Sequence, residues 1–412
     1  MELLLFLHFP KKQLIKLNNQ IWKELLLEEI KNPEFEKYEW IHIFESVIKN
    51  SSNSEMESNI RSEVFWHYFV LEKDDNRMSK INSTSDQGNN QEQIQSGIFI
   101  SLKLFKIFEK INIQIYNNDA HPLKIILNNF HQWFQQKFLD YISLNCVNIK
   151  EDKKEVYKKI KNNIDSFCLM LGKAILLFYG MTIGEYNHSE IDLVLMFTYR
   201  LILTNETYLI VYNIISSYLS DSIEIFTKVI NKLEKCIPSD ISISNYFAMN
   251  PLFREKFSKN NSSNNSTNIL EDHLINKESI NLDKLTSFES SNSYEESIKI
   301  LNEIRNIECP ELKIIHLEKL IKKIAEEIDK FWEGYDIPKK DLTVDPDNLL
   351  SIIIYITIKS KNSKLLSEVE YMDSFITNTS KISGKGYNLS VLSVACKYLL
   401  EDKLNTILKN SA

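Results

Sequence analysis

The sequence predicts an all-α protein, and three observations carry that prediction. Apolar residues recur with the 3.6-residue period of a helix over most of the chain. Glycine occurs only 8 times in 412 residues, about 2% against the roughly 7% of ordinary proteins, which starves hairpins, barrel corners and phosphate-cradling loops. No run of strands alternates with helices in the manner of a βαβ fold. Antiparallel helices joined by loops are the architecture that remains.

The opening MELLLFLHFPKK has a short apolar run, preceded by Glu2 and broken by Pro10 and two lysines, which is not the pattern of a signal peptide. A polar, Asn-rich tract runs from Ser51 to about Ser96, interrupted by RSEVFWHYFVLE from Arg61, which is expected to be one packed element through Val64, Phe65, Tyr68, Phe69 and Leu71. Helical stripes then run from Asn129 to Leu144, from Lys153 to Phe178, from Asp192 to Leu219 with a break near Asn205, and from Ser222 to Cys236. The apolar stretch from Phe167 to Gly184 carries Lys173 near its middle and lacks basic or aromatic flanks, so a buried helix is expected rather than a membrane span. From Lys256 to about Ser297 the chain is polar and aperiodic, the composition of a disordered insertion.

Beyond that tract, Pro310 to Trp332 is expected to form one amphipathic helix. Leu312, Ile314, Ile315, Leu317, Leu320, Ile321, Ile324, Ile328 and Phe331 make its apolar stripe, with Lys and Glu opposite. LLSIIIYITIKS, from Leu349 to Ser360, is dense in β-branched residues and by composition reads as a strand. The preceding Asp345, Pro346 and Asp347 supply an N-cap, a first-turn proline and a first-turn acid, which decides for a helix. A further helix from Lys364 to Ile376 puts Leu366, Val369, Met372 and Ile376 on one face. After a Ser383-Gly384-Lys385-Gly386 loop, a last helix buries Leu392, Ala395, Cys396 and Leu399.

With 49 basic and 56 acidic residues the net charge is −7, so no global attraction draws nucleic acid or an anionic membrane. The basic segment KEDKKEVYKKIKN from Lys150 interleaves its lysines with Glu151, Asp152 and Glu155 and reads as a solvated helix face. Cys146, Cys168, Cys236, Cys309 and Cys396 are scattered among apolar neighbours, as reduced core thiols of a cytoplasmic protein would be. No HExxH, paired CxxC, GxSxG, GxxxxGK[ST] or GxGxxG occurs, and no two histidines stand at helical metal-ligand spacing. His42, His67, His131 and His316 read as structural histidines. Glu271-Asp272-His273 lies in the polar tract and lacks a rigid frame for a metal. No cofactor, metal or hydrolytic chemistry is expected.

Three pieces in one register carry a resemblance: DNLLSIIIYITIKS from Asp347, SKLLSEVEYMDSF from Ser363 and GKGYNLSVLSVACKYL from Gly384. Together they resemble the vacuolar-protein-sorting-nine (Vps-nine) domain of exchange factors for Rab GTPases of the early-endosomal Rab-five class. The 40 residues between Asp347 and Tyr387 fit that register without a gap. EIDLVLMFTYRLIL from Glu190 and the segment around CIPSDISI are similar to the family's earlier helices. The resemblance implies a helical bundle followed by a layered helical domain, and a guanine-nucleotide exchange factor that breaks no bond. In that role Asp347 matches the acidic finger that enters the GTPase nucleotide site, and Tyr387 matches the tyrosine that meets the switch region. Ile352, Tyr355, Ile356, Ser390, Val391 and Leu392 are the expected partner-binding residues along a groove. The partner implied is a Rab-five-class GTPase, with no nucleic acid, no transmembrane segment and peripheral recruitment to early endosomes.

The organisation expected is an N-terminal region over 1–120, a bundle and the first part of the domain over 121–255, the insertion over 256–297, and the exchange site over 298–405. Two departures from the family pattern, Ser351 in place of a proline and Val391 in place of an amide, leave a second reading open. It is a non-catalytic helical adaptor that binds a GTPase in vesicle traffic.

Overall fold

The computed structural model describes residues 22–50, 108, 118–119, 121–139, 152–178, 188–251, 253–255 and 293–401, and among them helices and turns occur without a strand. The expected element at 64–71, Cys146, the Glu271-Asp272-His273 patch and nearly all of the polar tract lie outside these residues. The described residues divide into two compact units, separated after Ile214, with Thr377–Thr379 counted in the first.

In the first unit, residues 22–30 are helical, followed by α1 (Pro33–Glu36), α2 (Ile41–Asn50), α3 (Pro122–Lys137), α4 (Lys153–Phe178), α5 (His188–Ile202) and most of α6 (Asn205–Tyr218). Its core is aromatic. Phe167 of α4 stacks on Phe130 of α3 with ring centres 3.6 Å apart and takes the edge of Trp40 at 5.2 Å. Buried rings of this size each contribute about 1.5–3 kcal/mol through area alone, and edge and offset contacts add to it. Gly172 lets α4 and α5 approach, because a Cβ there would stand 2.6 Å from Val194 Cγ1. The apolar stretch is helical and largely buried as far as Phe178, the last of its described residues, and Lys173 within it is ion-paired to Glu29 at 2.7 Å; no described helix is long and apolar enough to cross a membrane.

One expectation moves here. The stripe placed from Asn129 belongs to a helix that starts at Pro122, because His121 caps it through Nδ1, accepting from the Leu123 N–H at 3.2 Å. The break near Asn205 holds, with Asn205 itself at φ 49°. His131 receives or gives one hydrogen bond with Thr207 Oγ1, 3.2 Å away, and burial holds its pKa below the ordinary histidine value.

In the second unit, α7 (Ser220–Lys232), α8 (Glu295–Glu303), α9 (Pro310–Phe331), α10 (Pro346–Ser360), α11 (Leu365–Phe375), the second half of α12 (Asn378–Lys381) and α13 (Gly384–Leu400) follow. The β-branched segment is helical. Its Ile352, Ile353, Ile354, Tyr355, Ile356 and Ile358 are all buried, and α7, α8, α13 and the short turn Pro238–Ile241 pack around it. That coverage supplies the area which outweighs the poor helix propensity of isoleucine. On either side of the polar tract the chain is tied at one place. Ser293 Oγ donates to the Ala248 carbonyl at 3.2 Å and the buried Tyr294 hydroxyl to the Phe247 carbonyl at 2.6 Å.

The face of α9 differs from its expected stripe. Leu312 and Ile315 are exposed, whereas Lys313 is wholly buried. Its ammonium donates to Glu368 Oε2 of α11 at 2.6 Å and to the Ile304 carbonyl at 2.8 Å. Burial pulls the Lys313 pKa down while Glu368 opposes the shift. Glu368 Oε1 has no hydrogen-bond partner among the described residues. Periodicity missed the pair because a lysine counts as polar whichever way it points, and only the buried carboxylate on another helix makes the inward orientation tolerable.

Replacing Lys313 by alanine strands Glu368 in the core and should cost roughly 3–5 kcal/mol of unfolding free energy, as breaking buried pairs does. Urea unfolding of the single variant and of the double replacement Lys313→Met with Glu368→Leu checks this. The double variant should recover most of the loss.

Candidate functional site

The site is built at two helix starts. Asp345 is the N-cap of α10, its carboxylate accepting from the Asn348 N–H at 2.8 Å and from Asn348 Nδ2 at 2.7 Å. These hydrogen bonds hold the Asp345 carboxyl below the usual aspartate pKa. Pro346 occupies the first helical position, where its missing N–H costs nothing. Asp347 comes next, exposed in the first turn. Its carboxylate makes no hydrogen bond or ion pair among the described residues, so the helix dipole and water are what it has. The geometry gives a negative charge at the mouth of an otherwise buried helix.

α13 starts in a way that corrects the loop expected at Ser383-Gly384-Lys385-Gly386. Ser383 is an N-cap, accepting from the Lys385 N–H at 3.2 Å and donating to the Ser380 carbonyl at 2.7 Å, and Gly384 already opens the helix. Gly386 is buried where α12 crosses it, and a Cβ there would fall 1.9 Å from the Lys381 carbonyl oxygen. The glycine that looked like a flexible connector is a close approach. Tyr387 follows, its N–H donating to the Ser383 carbonyl at 3.2 Å. Its ring is 47% exposed, and its hydroxyl has no partner among the described residues. Ser390, one turn on, is exposed and donates to the Gly386 carbonyl at 2.8 Å.

The helices that carry Asp347 and Tyr387, α10 and α13, pack against each other along their lengths. The remaining groove residues fall beneath this surface. Ile352, Tyr355, Ile356 and Leu392 are buried in the core, and Val391 lies at its margin. Among the described residues, the large apolar side chains that α13 exposes are Tyr387 and Val394. Burial is decided by which face a neighbouring helix covers, which a single helical stripe does not reveal. Sequence reasoning also missed Lys385, whose ammonium is paired with the carboxylate of Glu311 in the first turn of α9.

Cys168, Cys236, Cys309 and Cys396 are buried free thiols, and burial raises the pKa of Cys168, Cys236 and Cys396, that of Cys236 to about 11. Such thiols are poor nucleophiles at neutral pH. Among the described residues no group of three His, Cys, Asp or Glu side chains is placed to hold a metal ion.

Residues 294–404 match the family model of the Vacuolar sorting protein 9 (VPS9) domain, the domain of Rab guanine-nucleotide exchange factors. The match spans α8 to α13 and includes both helix starts. A search of curated proteins found no relative that matches the chain.

Two outcomes test the construction of the site. Gly386→Ala should displace the start of α13 and lower the thermal midpoint, whereas Gly384→Ala, with open space around its Cβ, should not. Because the folded-state pKa of Asp345 is depressed, its cap stabilises fully above the unfolded-state pKa and is lost as pH falls through the folded value. Asp345→Asn should keep the cap and flatten that acid-side dependence in thermal scans from neutral to acidic pH.

Proposed function

We propose, from the VPS9 assignment of residues 294–404, that this chain is an exchange factor for a Rab-five-class GTPase in which Asp347 is the acidic finger and Tyr387 contacts the switch region. The observation that supports the reading is the contrast within each helix. α10 and α13 are core elements, yet each presents in its first turn an exposed side chain whose polar end has no partner among the described residues.

The physics is that of charge competition. A Rab retains GDP through Mg²⁺ and a P-loop lysine that neutralise the phosphates. A carboxylate brought into that site repels phosphate and competes for the lysine. At ~4 Å and an effective dielectric of about 20, one such interaction is about 4 kcal/mol, roughly a thousandfold in nucleotide affinity. Asp347 suits this task because no interaction within the protein has to be broken before it moves into the GTPase. Tyr387 supplies an amphipathic ring at the edge of the same helix pair, of the kind that anchors an interface while keeping its hydroxyl wet.

In this proposal residues 256–297 are an insertion within the exchange domain, supported by the tie between Ser293, Tyr294 and the Phe247–Ala248 carbonyls. Residues 121–255 then hold the bundle and the first part of the domain. Peripheral recruitment to early endosomes from the cytoplasm runs through a protein partner or through residues 1–120.

Release of a fluorescent GDP analogue from a panel of Rab GTPases tests the reading. The chain should accelerate release from Rab-five-class members. Asp347→Ala should abolish that acceleration and lower the unfolding midpoint only by the small first-turn helix-dipole contribution, about 0.3–1 kcal/mol, since the side chain holds no hydrogen bond or ion pair among the described residues. Undiminished release by the variant would sink the acidic finger. Tightest binding to the GTP-loaded Rab, in place of the nucleotide-free form, would move the assignment to the non-catalytic adaptor.

A further inference from the structure

Lys385 breaks a local rule. It stands in the first turn of α13, where unpaired N–H groups and the helix dipole disfavour a cation. The compensation comes from another helix. Glu311, in the first turn of α9, accepts an ion pair from the Lys385 ammonium. The two side chains are 29% and 12% exposed, so water and salt screen the pair less than one on the open surface. Glu311 is well placed in its own helix, since an acid belongs in a first turn, and it neutralises a second helix start as well. The N-termini of α9 and α13 are thereby held side by side by one carboxylate.

The rest of the turn has other fixings. Ser383 and Gly386 anchor it to α12 through Ser380 and Lys381, and Ser390 bonds back to the Gly386 carbonyl. Those contacts set where the helix begins relative to α12. The ion pair ties the same turn to α9, and Tyr387 is two residues away. A residue that is locally unfavourable and rescued by a specific distant partner marks a position where geometry is being held for a purpose.

We infer that the Glu311–Lys385 pair is a positioning device for Tyr387, fixing the direction in which the exposed ring leaves α13 so that it meets the GTPase preorganised. The inference rests on the reading of Tyr387 as the switch-region contact. Lys385 acts through Tyr387 and not on the GTPase itself. Loosening the turn therefore weakens engagement of the Rab and leaves untouched the displacement step that belongs to Asp347.

The test uses the full chain with Lys385→Met, Glu311→Gln, the charge-swapped Glu311→Lys/Lys385→Glu double variant, Tyr387→Ala, and Lys385→Met combined with Tyr387→Ala. GDP release is measured as a function of exchange-factor concentration. Lys385→Met and Glu311→Gln should each raise the half-saturating concentration by about tenfold, the equivalent of 1.4 kcal/mol, with the maximal rate preserved. The charge-swapped variant should recover most of the loss, and Lys385→Met should add nothing once Tyr387 is alanine. Three results would each overturn the inference: wild-type behaviour of Lys385→Met, failure of the swap to rescue, or a full further loss in the Tyr387→Ala background. A second readout needs no GTPase. Amide hydrogen exchange over residues 385–389 should quicken in Lys385→Met and return to wild-type rates in the swap, and unchanged rates would equally overturn it. If the wild-type chain releases GDP from no Rab while these amides respond as stated, it is the exchange reading that fails and the positioning pair that stands.

Discussion

The second unit depends on the all-round burial of α10. A segment of isoleucines with one tyrosine and one threonine has little reason to be helical in water, and every face of it that met solvent would carry an apolar cost. α7, α8, α13 and the Pro238–Ile241 turn leave no such face over Ile352 to Ile358. The consequence is positional. A helix sealed along its length meets solvent at its ends, and at one end the chain has placed Asp345, Pro346 and Asp347. The first residue caps, the second fits the missing donor, and the third is left over with its charge in water. The burial that stabilises the helix is therefore what isolates Asp347 as an unpaired carboxylate.

Charge is treated oppositely at different depths of this unit. Lys313 and Glu368 are fully withdrawn from water, and the desolvation they suffer is offset by a direct ion pair and by the Ile304 carbonyl. Such a pair contributes less to net stability than to uniqueness, because only one packing of α9 on α11 satisfies it. Lys385 and Glu311 are halfway out, close enough to the surface to be reached by salt and buried enough to hold a direction. Asp347 is exposed and makes no ion pair among the described residues. This gradient runs from the residues that define the fold, through the pair proposed to aim Tyr387, to the carboxylate proposed as the acidic finger.

The first unit is organised by rings. Trp40, Phe130, Phe134 and Phe167 interlock within a few ångströms of one another, and Gly172 removes the side chain that would keep α5 from α4. Its polar side chains find partners both within a turn, as His121 does at the head of α3, and across the unit, as His131 does with Thr207. That is the behaviour of structural histidines, and it matches their isolation from one another along the chain.

What the sequence by itself determined was the helical class, most helix positions and the start of α10. These follow from short-range rules: a 3.6-residue period, a proline in a first turn, an acid before it. Asp347 and Tyr387 were marked by the resemblance to the Vps-nine domain and not by these rules. Tertiary structure alone decided which apolar residues are wall and which are interior, turning Ile352, Tyr355, Ile356 and Leu392 inward and leaving Leu312 and Ile315 outside. It also decided that Lys313 is buried, that Gly386 is a point of contact instead of a hinge, and that Lys385 is answered by Glu311. The physical reason is common to all of these. A residue's own pattern reports its angle on a helix, whereas burial and charge compensation depend on a second helix tens of residues away in the chain, whose register no local period encodes.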